Sequence, residues 1–206
     1  MHNMIINIRG GSGSGKTTVA RAFLDFPYEQ MWGKKVINDK QEIKGYLINC
    51  SEVGIHLPLM LIGSYETACG GTDSINTQEE IGDRIEASYR AGYHVMAEGL
   101  LMSKSGPKGH ISPRMRDLGN GSTWFAFLDT PVELCVERVL QRRVNACNMN
   151  PFDPKKTLYP GHKQAWKSKV LLDKEGNYNT FWLDHTTRGE QEIIKLLKWG
   201  ESNARK

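Results

Sequence analysis

Apolar residues fall along this chain in short runs that switch between strand-like and helix-like spacing. Residues 3–9 form a compact isoleucine-rich run bounded by glycine, which predicts a buried strand of a parallel sheet. Val19, Ala20, Phe23 and Leu24 then recur at helical spacing over 16–26, and Pro27 stops that helix. Three β-prone runs, around 35–38, 43–49 and 57–62, predict a strand and hairpin that feed the sheet. A polar, glycine-rich loop covers 64–74. Residues 77–91 open on Thr77-x-x-Glu80, a capping-box pattern, and carry Ile81, Ile85 and Tyr89 at four-residue spacing, so a helix closed by Gly92 is expected.

The alternation continues to the end of the chain. Residues 93–97 read as a strand ending at Glu98-Gly99 and 123–128 as another ending at Asp129. Between them, 103–120 is basic and glycine-rich and reads as a mobile loop. Pro131 opens a helix carrying Leu134, Val136, Val139 and Leu140 that ends in Arg142-Arg143. A polar stretch, 145–162, interrupts the pattern before a helix at 163–172, a strand at 179–183 and a helix at 190–199. The whole predicts an α/β fold of three layers, a mostly parallel sheet covered by helices on both faces.

Composition narrows the picture only a little. With 206 residues, 39% of them hydrophobic and 24% charged, the chain suits one soluble domain spanning 1–206. No apolar run approaches the roughly 20 residues of a membrane helix, and the N-terminus passes straight into a motif rather than a signal peptide, so a cytosolic protein without membrane partners is expected. Cys50, Cys69, Cys135 and Cys147 form no Cys-x-x-Cys pair and read as reduced thiols, and the six histidines lack metal-ligand spacing. A formal charge of +4 suits a polyanionic partner without requiring one.

The candidate chemistry begins at residue 10. Gly10-Gly11-Ser12-Gly13-Ser14-Gly15-Lys16-Thr17 satisfies G-x-x-x-x-G-K-[ST], with a strand expected before it and a helix after. Glycines let successive amides point inward, and the helix dipole adds to the anion nest they form. Gly11, Ser12, Gly13, Ser14, Gly15, Lys16, Thr17 and Thr18 are therefore expected to hold the phosphates of ATP. In that arrangement Lys16 reaches the β- and γ-phosphates and Thr17 places its hydroxyl on Mg²⁺. Arg138 and Arg142, four apart on one helix face, fit an arginine-bearing lid or insert at about 138–165 that closes over the moving phosphoryl group. Glu98 should emerge at the carboxyl edge of the sheet, and Asp73 sits in a glycine-rich loop with Glu66 nearby. Asp73 and Glu98 are the candidates for the base that takes the acceptor proton, and Asp39 is a weaker one.

The chain resembles bacteriophage P-loop kinases that phosphorylate 5-hydroxymethyluracil within DNA, a step in thymidine hypermodification. The likeness lies in the amino-terminal Ile-Arg-Gly-Gly-Ser-Gly-Ser-Gly-Lys-Thr, in the block Gly-Ser-Tyr-Glu-Thr-Ala-Cys-Gly-Gly-Thr-Asp-Ser-Ile at 63–75, in Gly-Tyr-His-Val-Met-Ala-Glu-Gly-Leu-Leu at 92–101, and in the lid entry at 127–143. It spans residues 4–143 and fades beyond about 145. The resemblance implies ATP as phosphoryl donor, DNA carrying a modified pyrimidine as acceptor, Asp73 or Glu98 as the group that takes the hydroxymethyl proton, and the cytoplasm of an infected host as the compartment. A surface for DNA could be supplied by Lys104, Lys108, Arg114, Arg116, Lys155, Lys156, Lys163, Lys167 and Lys169 with Tyr159 and Trp166. Two other classes stay open from the sequence: a small-molecule nucleoside or nucleotide kinase, and a nucleotide-dependent regulatory or binding protein.

Overall fold

A computed structural model describes residues 2–36, 40–67, 70–148 and 150–203, with backbone only at 32–36 and 40–42. Asp39 and Cys69 lie outside the described residues. Among the described residues seven strands form one sheet: β1 (Ile5–Arg9), β2 (Tyr28–Val36), β3 (Lys40–Ile48), β4 (Leu59–Ile62), β5 (His94–Glu98), β6 (Thr123–Leu128) and β7 (Asn179–Leu183), in the order β2-β3-β4-β5-β1-β6-β7. The five from β4 to β7 in that order run parallel, and β2 and β3 add an antiparallel hairpin at one edge. Its first strand starts at Tyr28, earlier than its sequence suggests, where the Tyr28 ring meets Tyr46 edge-on at 5.5 Å.

Seven α-helices among the described residues accompany the sheet: α1 (Lys16–Arg21), α2 (Gln78–Arg90), α3 (Leu100–Ser103), α4 (Ile111–Gly119), α5 (Val132–Asn145), α6 (Pro154–Glu175) and α7 (Gly189–Asn203). Because β1 is buried on both faces, its side chains divide between two cores. Ile6 and Ile8 pack with Val19, Phe23, Ile193 and Leu197 from α1, its following turn and α7. Ile5 packs on the other side with Ile81, Ile85, Met115 and Leu172 from α2, α4 and α6. The capping box at the start of α2 is formed as expected, with the Glu80 amide donating to Thr77 Oγ1 at 3.1 Å.

Two expectations are corrected. Residues 103–120 are not a mobile loop throughout, since α4 occupies 111–119 and buries Ile111 and Met115. α6 begins at Pro154, nine residues before the expected start, and carries Pro160 within it. Proline there removes one backbone bond, but Leu158, Ala165, Ser168, Lys169 and Leu172 all turn inward from the same helix, and that burial outweighs the loss.

The strand leading to the phosphate loop carries an unusual core residue. Arg9 is fully buried, and its guanidinium donates to Ser105 O at 2.6 Å and Ser112 Oγ at 2.8 Å while lying 4.5 Å over the Phe125 ring. Burial pulls its pKa down to about 9. Arg9 thereby ties β1 to the segments at either end of 105–112 and, through Ser168 Oγ at 3.2 Å, to α6. Among the histidines, His94 is buried and structural: Nδ1 accepts from the Met4 amide at 3.1 Å and Nε2 lies 3.0 Å from Glu201.

Candidate active site

Residues 10–15 connect β1 to the first turn of α1 at the carboxyl edge of the sheet. Gly13 and Gly15 hold φ of 83° and 101°, values open to glycine and strained for other residues, and a Cβ on Gly13 would meet Cys135 O at 2.4 Å. The loop is also backed by α6, since a Cβ on Gly11 would lie 3.2 Å from His162 Nδ1. Lys16 is buried at 7% exposure, with Nζ donating to Gly11 O at 2.9 Å. Burial pushes its ammonium below the ordinary lysine value, while the charges of Glu98 and Asp73 oppose that shift.

Parallel pairing of β5 with β1 brings Glu98 beside this loop, opposite Ile8 in register. Thr17 Oγ1 donates to Glu98 Oε1 at 2.9 Å, and Glu98 Oε2 is buried with no hydrogen-bond partner among the described residues, as is the Tyr65 hydroxyl. Burial pushes the Glu98 carboxyl up to about 7, against the pull of Lys16 and the Thr17 hydroxyl. A raised carboxyl binds its proton more tightly folded than unfolded. Its contribution to stability is therefore complete below the ordinary value of 4.5 and lost as pH rises to about 7. The melting temperature of the wild-type protein should fall by several degrees relative to Glu98→Gln between those two pH values; parallel melting curves would contradict the assignment.

Asp73 is exposed and placed differently. Its Oδ1 accepts from the Leu100 amide at 2.8 Å, which fixes the carboxylate at the start of α3. The Gly70-Gly71-Thr72-Asp73 block packs against the end of β5 at close range: Thr72 Oγ1 donates to Glu98 O at 2.9 Å. Gly71 has φ 73°, and a Cβ there would sit 2.6 Å from both Glu98 O and Glu98 Oε1. Gly71→Ala should therefore cost about 1–3 kcal/mol in urea unfolding from backbone strain alone. It should also displace the Glu98 carboxylate and lower activity. Glu66 stands apart, its Oε1 accepting from the Tyr46 hydroxyl at 2.8 Å.

A cleft of about 790 Å³ gathers the loop residues Ser12, Gly13, Ser14, Gly15, Lys16, Thr17 and Thr18 with Asp73, Arg138 and Arg142. Arg138 Nη1 lies 3.5 Å from both Gly13 O and Ser14 O, so the middle of α5 already touches the loop. Gly11 is buried behind the loop, where it packs on α6. Glu98 reaches this group through Thr17. The structure also places here residues that the sequence reading passed over: Arg21, whose guanidinium donates to Tyr65 O at 2.9 Å and to Thr67 O, and the segment after β7, with Asp184, His185, Thr187 and Arg188. That segment follows a parallel strand at the same sheet edge as Glu98, so the rule that flagged Glu98 would have flagged it. The Asp129 carboxylate braces it, accepting from the His185 amide at 2.8 Å.

Three residues expected on a nucleic-acid surface are paired within the protein, and one of them, Lys169, is buried. Arg114 pairs with Asp83 at 2.7 Å and Glu86 at 2.8 Å, Arg116 pairs with Asp117 at 2.7 Å and covers the Tyr178 ring, and buried Lys169 pairs with Asp173 at 2.7 Å. Lys155, Lys156, Lys163 and Lys167 stay exposed on α6, with Tyr159 and Trp166 about 40% exposed beside them. Trp166 packs against Trp182 of β7, the ring centroids 4.6 Å apart and the planes tilted by 44°. No helix among the described residues is long and apolar enough to cross a membrane.

No family model matches the chain. Three phage proteins named 5-hmdU DNA kinase do. The protein of Pseudomonas phage PaMx11 is 37% identical over 139 residues, covering 68% of this chain and 69% of its own length. That of Pseudomonas phage M6 is 32% identical over 145 residues, covering 66% and 71%. That of Delftia phage PhiW-14 is 26% identical over 163 residues, covering 72% and 56%. Among solved structures, a gluconokinase from Sinorhizobium meliloti 1021 aligns over 98% of this chain and 93% of its own at 18% identity, with a TM-score of 0.42.

Proposed function

Because the chain belongs to the phage 5-hmdU DNA kinases, we propose that it uses ATP to phosphorylate the hydroxymethyl group of 5-hydroxymethyluracil in DNA. Within the molecule, one observation carries the reading. A phosphate loop and the exposed Asp73 carboxylate line one cleft, and a second carboxylate, Glu98, lies buried directly behind it against Thr17.

The roles follow from those environments. The loop amides and the Lys16 ammonium hold the triphosphate and offset the charge that spreads over the γ-phosphoryl oxygens. The Thr17 hydroxyl and the Glu98 carboxylate fit a divalent cation, Mg²⁺ in this reading, since Glu98 Oε2 is buried without a partner among the described residues. A cation held by these two residues would supply positive charge to offset that of the triphosphate. Asp73 is the base: it takes the hydroxymethyl proton as that oxygen bonds to the γ-phosphorus and the bond to ADP breaks. Arg138 and Arg142 project from α5 toward the same space, and residues 138–165 act as the lid that excludes water.

The DNA track on this reading is the exposed face of α6, where Lys155, Lys156, Lys163 and Lys167 would meet phosphates and Tyr159 and Trp166 would meet bases. The test offers labelled ATP with hydroxymethyluracil DNA, unmodified DNA and the free nucleoside. Label should enter only the modified DNA, and transfer should weaken steeply with salt. Preferential labelling of the free nucleoside, with little response to salt, would make the protein a small-molecule kinase.

A further inference from the structure

A second cleft, of about 400 Å³, opens from the first between α3, the end of α5 and the start of α6. Ser12, Leu100 and Arg142 belong to the walls of both. Resting on the kinase reading above, we propose that this second cleft is the acceptor-base pocket, and that it takes a single 5-hydroxymethyl pyrimidine swung out of the DNA stack.

Position is the first argument. Phosphoryl transfer runs roughly in line, so the acceptor must approach across the phosphate loop from the leaving ADP. The shared wall lies at that junction. Asp73 is held there by the Leu100 amide, so a hydroxymethyl group entering from the second cleft meets the base that would deprotonate it. Arg142, common to both spaces, stands where negative charge develops.

Size is the second. A volume of 400 Å³ lies toward the lower end of small-ligand pockets, which run to about 300–1,000 Å³. It admits a nucleoside-sized group. A duplex, whose major groove alone is about 12 Å wide, does not fit, so the base must leave its partner to enter. The hydroxymethyl group of a paired base projects into the major groove, and an enzyme with a flat site could reach it there; a recess beside the loop serves no purpose for that mode.

The lining supplies the third. The Arg143 guanidinium lies 4.7 Å over the Phe152 ring and covers one face, leaving the other for a stacked base. The same Arg143 donates to Asn148 Oδ1 at 3.3 Å, and the Asn150 amide donates to that oxygen at 3.2 Å, so the Asn148 NH₂ is the half of the amide left to offer a pyrimidine carbonyl. Lys104 adds a second donor on the α3 side. One cation thus positions both an aromatic platform and a polar reader.

The experiment compares kcat/KM for one hydroxymethyluracil presented in a single strand, opposite a mismatch and in a fully paired duplex. The unpaired and mismatched forms should exceed the paired one by about tenfold or more, because unstacking is cheaper there. Phe152→Leu, which keeps apolar bulk and removes the ring, should raise KM for DNA about tenfold, with the affinity for MgATP measured by calorimetry unchanged. Asn148→Ala should act in the same direction as an independent variant. Equal rates on paired and unpaired DNA, together with a wild-type KM in both variants, would overturn the pocket while leaving the kinase reading intact. MgATP binding without labelling of any hydroxymethyluracil DNA would overturn both.

Discussion

Lys16→Ala should lower phosphoryl transfer by about a thousandfold, read as kcat/KM with labelled ATP, while the far-ultraviolet spectrum and melting profile stay close to wild type. The size follows from where the charge sits. Lys16 is buried within the phosphate loop, bonded to Gly11 O, and its ammonium is desolvated before substrate arrives. A preorganised cation of this kind needs no solvent rearrangement as charge builds on the γ-phosphoryl group, so its loss falls on the transition state. Stability should change little. Alanine removes a buried charge along with its hydrogen bond to Gly11 O, and alanine is a good helix former at the start of α1. A variant that retained a tenth of the wild-type rate would show that the loop amides alone carry the anion.

Asp73→Asn should reduce kcat by about 10²- to 10⁴-fold with MgATP affinity preserved. The substitution is close to a pure test of proton acceptance, because the asparagine oxygen can still accept from the Leu100 amide and keep α3 in place. Glu98→Gln makes the complementary case. Its carboxylate faces Thr17 and Lys16 rather than open solvent, so its neutralisation should appear as a raised requirement for divalent cation. A full rate in Asp73→Asn, accompanied by collapse of kcat in Glu98→Gln at saturating cation, would exchange the two roles.

The parts of this site that can be read from sequence are those set by local sterics. A glycine loop between a buried strand and a helix start has few conformations open to it, so the nest and Lys16 were legible from residues 10–17 alone. Glu98 was legible because a parallel strand delivers its last residue to the ligand edge. Contacts between distant elements were not. Arg114 looks like a free surface cation until α2 brings Asp83 and Glu86 against it, and Lys169 until β7 brings Thr180 Oγ1 to 3.2 Å and the Trp182 ring to 5.0 Å from its ammonium. Residues 145–162 read as a polar interruption, and Pro160 opposes helix locally, whereas inward-facing positions from Leu158 to Leu172 are satisfied only once the sheet is present. The second cleft is likewise invisible in the sequence, since Ser12, Leu100 and Phe152 converge only in the fold.

The most direct test of the central claim is the position of the transferred phosphate. Hydroxymethyluracil DNA incubated with γ-labelled ATP and the protein, then digested to nucleosides under conditions that spare phosphomonoesters on the base, should yield label on a 5-phosphomethyl pyrimidine and none on thymidine. Label confined to the terminal 5′-hydroxyl, or released only as inorganic phosphate, would contradict the account.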